Sequence, residues 1–232
     1  MKIGILTSPI EEAGIPPLSN ILKISTEISD NIYLITGNAA YIHFAEVQGI
    51  KSYNASLCRS NNPIFRIFKY IALQIKISRY LLRIGKMVDC WICMFGAESQ
   101  ILPVLILKLI KKPVILFFTG SSIKTQQSKK DQMLPLLKII QYFTCHYATS
   151  IIVYSFTNIR DYGLKEWEFK IKIFSEHLID IKQFSIRQGI RDRGNNIGYI
   201  GRISEEKGIC NLLESVKLFA PILPHYRIII IG

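Results

Sequence analysis

Strand-like apolar runs alternate with helix-like periodic segments along this 232-residue chain, and turn residues mark the junctions. Most of the strand-like runs are apolar without interruption, as in strands covered on both faces. These observations predict an α/β protein built on a doubly wound, Rossmann-like parallel sheet. A composition of 49% hydrophobic and 20% charged residues excludes low-complexity disorder. The longest apolar runs, such as Ile101 to Leu107 and Ile228 to Ile231, fall far short of the roughly 18 to 20 residues that span a membrane. Glu11 and Glu12 interrupt the N-terminal apolar run too early for a secretory leader, so a cytoplasmic protein is expected.

Lys2 to Ser8 reads as a buried first strand, followed by a Gly- and Pro-containing loop up to Pro17. Leu18, Ile21, Leu22, Ser25 and Ile28 recur at helical spacing from a Pro17 start. Ile32 to Thr36 is the second strand, and a weaker one follows near Ile50 to Ala55. A long helix is predicted from Pro63 to Lys86, then a strand from Val88 to Phe95, a short helix from Ile101 to Ile110 and a strand from Pro113 to Thr119. After Gly120-Ser121-Ser122 the Lys- and Gln-rich stretch reads as a loop, before a helix from Leu134 to Tyr147. Ser150 to Ser155 and Ile171 to Phe174 are strands, with a helical or loop piece near Trp167 between them.

The first domain is expected to cover residues 1–186. Residues 187–196 turn polar and charged, as a linker does. Residues 197–232 start a fresh unit: a strand from Ile197 to Gly201, a helix from Asn211 to Phe219 with Leu212, Leu213, Val216 and Phe219 facing inward, and a strand from Tyr226 to Ile231. One β-α-β unit cannot cover both faces of its own sheet, so the second domain is expected to be incomplete, with an exposed apolar edge near Tyr226 to Ile231.

The five cysteines are odd in number and scattered, which argues against a disulfide framework and for a reducing compartment. Cys90 and Cys93 form one C-x-x-C, but in a strand residues three apart face opposite sides, so buried thiols are expected and no metal site.

The most specific stretch is Gly201-Arg202-Ile203-Ser204-Glu205-Glu206-Lys207-Gly208, directly after a strand and before a helix. Arg202 and Lys207 would meet a helix N-terminus there, and Gly208 would let the backbone approach a diphosphate. A solvated turn with two surface cations is the plainer alternative. This segment resembles the G-R-x-x-x-E-K-G stretch that opens the second domain of family 4 glycosyltransferases of the GT-B type. Lys172-Ile-Phe-Ser-Glu-His-Leu-Ile-Asp180 to Phe184 is similar to that family's exit from its first domain, and the N-terminal strand with its Gly14 loop is similar in place.

The resemblance implies two GT-B domains, the first on the acceptor side and the second binding a nucleotide-sugar. It implies transfer of the sugar with retention at the anomeric carbon, to a glycan or lipid-linked acceptor, and no metal cofactor. Arg202 and Lys207 would hold the donor diphosphate, and Gly14 would let the first loop approach it. Negative charge on the departing nucleoside diphosphate is what fixed cations and helix dipoles stabilise more in the transition state than in the ground state. The family's E-x7-E pattern is absent, and Gly120-Ser121-Ser122 stands where many members carry a histidine, so no catalytic residue is assigned. Glu98, Gly120 and Ser121 follow strand ends and are candidates for the cleft wall, although ordinary loop residues would look the same.

The charge of +12 is regional. Eight Lys or Arg and no acid lie between Glu46 and Asp89, and six and no acid between Glu98 and Asp131. On a helical wheel Arg66, Lys69, Lys76, Arg79, Arg83 and Lys86 span roughly 160°, with Ile64, Ile67, Phe68, Ile71, Ile75 and Leu82 on the other side. One reading is attraction to anionic lipid, and the other a surface helix whose apolar stripe faces the core. Nucleic acid is not expected as a partner, since no recognition motif or interleaved aromatic run accompanies the charge. The expected function is therefore a peripheral, membrane-associated sugar transferase, weakly active or inactive as this chain. The alternative is a non-catalytic basic α/β module that binds a membrane surface or a partner subunit.

Overall fold

The computed structural model describes residues 1–58, 62–128, 133–177, 185, 188–189, 192, 194–201, 203–222 and 225–232, the side chains at 63, 64, 97, 125, 128 and 206 excepted. The chain forms two compact units, Met1–Leu178 and Ile179–Gly232. The expected first-domain end near residue 186 and the start of the linker lie largely outside the described residues.

In the first unit seven strands form one sheet: β1 (Lys2–Thr7), β2 (Asn31–Thr36), β3 (Ile50–Asn54), β4 (Cys90–Met94), β5 (Val114–Phe117), β6 (Ser150–Val153) and β7 (Ile171–Ile173). All pair in parallel, in the order β3-β2-β1-β4-β5-β6-β7. The chain winds outward from β1 one way, then from β4 the other, so the order reverses between β1 and β4. This is the doubly wound α/β fold that the sequence predicts.

Alternation along the strands feeds two cores. Leu6, Tyr33, Ile35, Trp91, Cys93 and Leu116 face one side, and Ile3, Ile5, Ile32, Leu34, Met94 and Phe117 the other. Cys93 thus points into the first core while Cys90 packs against the second, so the C-x-x-C thiols face opposite ways.

Helices α1 (Ile15–Thr26), α2 (Ala39–Phe44), α3 (Pro63–Ile84), α4 (Ile101–Leu109), α5 (Ser122–Ser128), α6 (Leu134–Tyr147) and α7 (Phe156–Asp161) connect the strands. Helix α1 starts at Ile15, earlier than Pro17, because prolines are tolerated in a first turn whose N–H groups have no helical partner. It stops at Thr26, which leaves Ile28 outside it and exposed. The first part of the Lys- and Gln-rich stretch expected as a loop, up to Ser128, folds instead as α5, where Ser121 Oγ accepts the Lys124 N–H at 3.2 Å, and residues 129–132 lie outside the described residues.

The largest correction concerns α3. Its core contacts come from Leu73, Ile77, Leu81 and Ile84, with Gln74 and Ser78 buried beside them. Of the two readings of its apolar stripe, the core-facing one fails, since the stripe points to solvent: Phe68 is 66% exposed, Ile71 47%, Ile75 42% and Leu82 63%.

In the second unit β8 (Asn196–Ile200) and β9 (Arg227–Ile231) pair in parallel around α8 (Ile209–Phe219). Ile209 is the one buried residue among those described there. Leu213, expected to face inward, is exposed, while Leu212, Val216 and Phe219 are half-buried. Ile229, Ile230 and Ile231 are exposed along β9.

Candidate functional site

Parallel strands deliver all their C-terminal ends to one edge of the sheet, and where the order reverses the flanking loops part to leave a crevice. In the first unit this point lies between β1 and β4. The Ser8 N–H donates to the Phe95 carbonyl at 3.1 Å, and Gln100 Nε2 donates to Ser8 Oγ at 2.8 Å. A Cβ at Gly96, whose φ is +90°, would stand 2.6 Å from Ser8 Oγ, so the turn after β4 needs glycine on both counts. Phe95 beside it also has positive φ, at 50°, a strained backbone for a bulky residue.

Next to this turn, between the loops after β4 and β5, a cavity of about 290 Å³ opens, lined by Phe95, Gly96, Glu98, Gly120, Ser121 and Gln126 among others. The three residues proposed from sequence for the cleft wall therefore surround one cavity. Glu98 is buried, and its Oε1 accepts the Ser122 N–H at 2.8 Å. Nothing stands within 4 Å of a Cβ built on Gly120, so packing does not require glycine there.

Buried polar side chains support this loop from below. Gln74 Nε2 donates to the Ser99 carbonyl at 3.1 Å and to Gln100 Oε1 at 3.2 Å, and the Tyr70 hydroxyl donates to the Ser99 carbonyl at 2.5 Å. Burial pushes the Tyr70 phenol up to about 12. The 94–100 turn is thus fixed to α3.

Gly14 lies in a short 3₁₀ turn, Glu12–Gly14, ahead of α1. A Cβ there would overlap Cγ2 of the buried Ile10, so the glycine has a packing reason of its own. Its loop is tied to the next by Asn38 Nδ2, which donates to Glu11 Oε1 at 3.0 Å.

Glu176, inside the segment read as the exit from the first domain, had no functional signal in the sequence. It is fully buried after β7. Its Oε1 accepts the Tyr154 hydroxyl at 2.7 Å, and its Oε2 has no hydrogen-bond partner among the described residues. Burial first, then the bond to Glu176, raises the Tyr154 phenol above its ordinary value.

In the second unit Lys207 ends a 3₁₀ turn, Glu205–Lys207, and is exposed. Gly208 follows in the left-handed region (φ 74°, ψ 19°) and heads the eleven residues of α8. Gly201 closes β8 with φ 152°, its N–H donating to the Ile231 carbonyl at 3.0 Å. Arg202 lies outside the described residues.

No protein-family model matches the chain, and no curated protein matches it in sequence. Solved structures do match. The UDP-GlcNAc 2-epimerase of Methanocaldococcus jannaschii is 17% identical, with a TM-score of 0.56 over 99% of this chain and 65% of that one. The UDP-GlcNAc 2-epimerase of Neisseria meningitidis, bound to UDP-GlcNAc, is 16% identical, with a TM-score of 0.58 over 99% of this chain and 65% of that one. UGT2 of Phytolacca americana, complexed with UDP-2fluoro-glucose and pterostilbene, is 12% identical, with a TM-score of 0.59 over 98% of this chain and 66% of that one. The chain thus spans about 65% of the length of these proteins. At such identities the likeness is one of fold, the Rossmann-like α/β architecture of the GT-B type. Among the described residues no helix is long and apolar enough to cross a membrane.

Proposed function

We propose that the chain belongs to a nucleotide-sugar enzyme, a retaining glycosyltransferase of the family 4 type, with the first unit on the acceptor side and the second binding the donor. The observation that carries this reading is the 3₁₀ turn Glu205–Lys207, which comes after the parallel strand β8 and leads into a helix that starts on left-handed Gly208. The N–H groups at the start of α8 have no helical partner and Lys207 directly precedes them, a chemistry suited to a diphosphate, and Arg202 adds a second cation in the sequence. The fold supports it too, since the neighbours include structures solved with UDP-GlcNAc and UDP-2fluoro-glucose. Arg202 and Lys207 stabilise the leaving nucleoside diphosphate without a metal. The crevice with Glu98, Gly120 and Ser121 holds the acceptor, a glycan or a lipid-linked sugar.

Calorimetric and thermal-shift titration with UDP, GDP and UDP-sugars tests the reading. The expected outcome is weak nucleotide binding that Arg202→Ala and Lys207→Ala each abolish. Binding unchanged in both variants, or no binding by the wild-type chain, overturns the donor site. The rival, a basic module without catalysis, draws on the solvent-facing apolar stripe of α3 and predicts that second outcome.

A further inference from the structure

A cavity of about 420 Å³ lies between α5, α6, the end of α7 and the 3₁₀ segment Lys165–Lys170. It shares no described lining residue with the crevice beside Glu98, because α5 gives Ser122 and Gln126 to the crevice and Lys124 and Gln127 to this cavity. The function proposed above uses none of its residues.

Gln141 in its wall is buried. The amide Nε2 donates to the Tyr162 carbonyl at 2.9 Å, while Oε1 is buried without a hydrogen-bond partner among the described residues. That orientation of the amide is fixed, because the reverse one would set its oxygen against the Tyr162 carbonyl. A buried acceptor without a donor is costly, so the wall calls for an O–H or N–H from outside the chain. Oε1 is covered, and a small turn about the soft terminal torsion of the glutamine brings it to the cavity. Trp167 and exposed Tyr142 stand in the same wall, their ring centroids 5.4 Å apart and their planes at 60°. Charges of both signs surround them: Lys124 pairs with Asp161 at 2.9 Å, and Lys138 and Glu166 are exposed at the rim.

We propose that this cavity binds a neutral pyranose sugar, one hydroxyl of which donates to Gln141 Oε1 while an apolar face of the ring lies on Tyr142. The mixed charge decides the class. A phosphate would meet Asp161 and Glu166, and an ammonium would meet Lys124 and Lys138. A hydroxyl both donates and accepts, so a neutral sugar satisfies either sign as well as the amide, and its C–H face suits an aromatic ring. The volume falls within the range of small-molecule sites, about 300 to 1,000 Å³. The inference goes beyond the donor site and does not depend on it.

Saturation-transfer NMR of the whole chain with methyl glucoside, methyl galactoside and N-acetylglucosamine tests the proposal with no nucleotide present, so its outcome is separate from that of the donor titration. At least one of the sugars is expected to bind weakly. Gln141→Leu, which keeps most of the bulk, and Tyr142→Ala each weaken that binding about five- to tenfold. Gln127→Trp, which fills the cavity from α5, abolishes it. Positions 127 and 142 are exposed, so their variants keep the melting temperature and decide the matter should Gln141→Leu unfold. UDP and inorganic phosphate leave the sugar signal unchanged. No transfer to any of the sugars, or transfer unchanged in Tyr142→Ala and Gln127→Trp, overturns the site. Displacement of the sugar by UDP assigns it to the donor cleft and overturns the site as well, and displacement by inorganic phosphate overturns the neutral class. A chain that binds no sugar and melts higher as Gln141→Leu would show that Oε1 is satisfied by water at most, which also overturns the proposal.

Discussion

Glu98 Oε1 accepts the backbone N–H of Ser122 at 2.8 Å, which joins the loop after β4 to the first turn of α5 across the crevice between the loops after β4 and β5. The bond spans two elements that the chain separates by 24 residues, so the shape of that cavity depends on it. A buried carboxylate at a helix start satisfies a donor that would otherwise have no partner and favours the helix dipole. Glu98→Ala is expected to cost about 1 to 2 kcal/mol in urea unfolding. Glu98→Gln keeps an acceptor oxygen and should lose much less. Equal losses in the two variants would mean that the charge, rather than the hydrogen bond, holds the loop.

Gly4 and Trp91 face each other across β1 and β4. A Cβ on Gly4 would stand 2.5 Å from the indole carbons, and Trp91 is fully buried with no room to withdraw. Gly4→Ala should therefore destabilise by about 2 to 3 kcal/mol or more. Trp91→Leu alone leaves a cavity, yet combined with Gly4→Ala it should cost less than the sum of the two, and a double-mutant cycle measures the difference. Strict additivity would show that the two side chains do not compete for this space.

How much of this was legible in the sequence varies with the signal that each element carries. Strands β1, β2, β5 and β6 stand out because burial on both faces demands unbroken apolar runs, and α6 because its periodic segment is long. Helix α5 was hidden: its Lys, Gln and Ser residues have no apolar face, and what fixes its start includes the Glu98 carboxylate from another loop. The face of α3 stayed open between two readings because composition alone cannot say which of two apolar arcs meets the sheet, and Leu73, Ile77 and Leu81 competed with Phe68, Ile75 and Leu82. At the crevice, positions after strand ends could be picked out, whereas the Gln74 and Gln100 bonds and the buried Glu176 depend on side chains distant in sequence.

The thiols divide by burial. Cys58 and Cys210 are exposed, whereas Cys93 and Cys145 are buried and pushed up to about 12 by desolvation. At pH 8 a disulfide reagent is expected to modify Cys58 and Cys210 quickly, Cys90 more slowly because burial also raises its thiol, and Cys93 and Cys145 only on unfolding. A group raised in the folded state contributes stability that is complete below its unfolded value and lost as pH rises toward the folded one. Stability should thus fall from about pH 9 toward 12, by about 1.4 kcal/mol per pH unit for each buried thiol. Tyr70, also raised to about 12, adds to the loss above pH 10. Lys170, held below its ordinary value chiefly by burial, acts the other way just under 10.5. A flat stability profile between pH 9 and 11 would refute the assignment, and Cys93→Ala should flatten the slope by one proton's worth.

Lys170 reaches back to the end of α6 and gives that helix its C-terminal cap. Its Nζ donates to the carbonyls of Cys145 at 2.5 Å, Ala148 at 2.9 Å and His146 at 3.2 Å, groups that the helix itself leaves without partners. The same ammonium lies 4.8 Å from the centroid of the Trp167 ring, so the cation is held between a helix terminus and an aromatic face. A cation in the last turn offsets the negative end of the helix dipole, and three converging carbonyls suit a compact ammonium better than a planar guanidinium. Lys170→Met should cost about 1 to 2 kcal/mol and speed amide exchange in the last turn of α6, while Lys170→Arg recovers part of the stability and little of the exchange protection. Exchange in that turn that is as slow in Lys170→Met as in the wild-type chain would mean that packing against Trp167, and not the cap, holds the helix end.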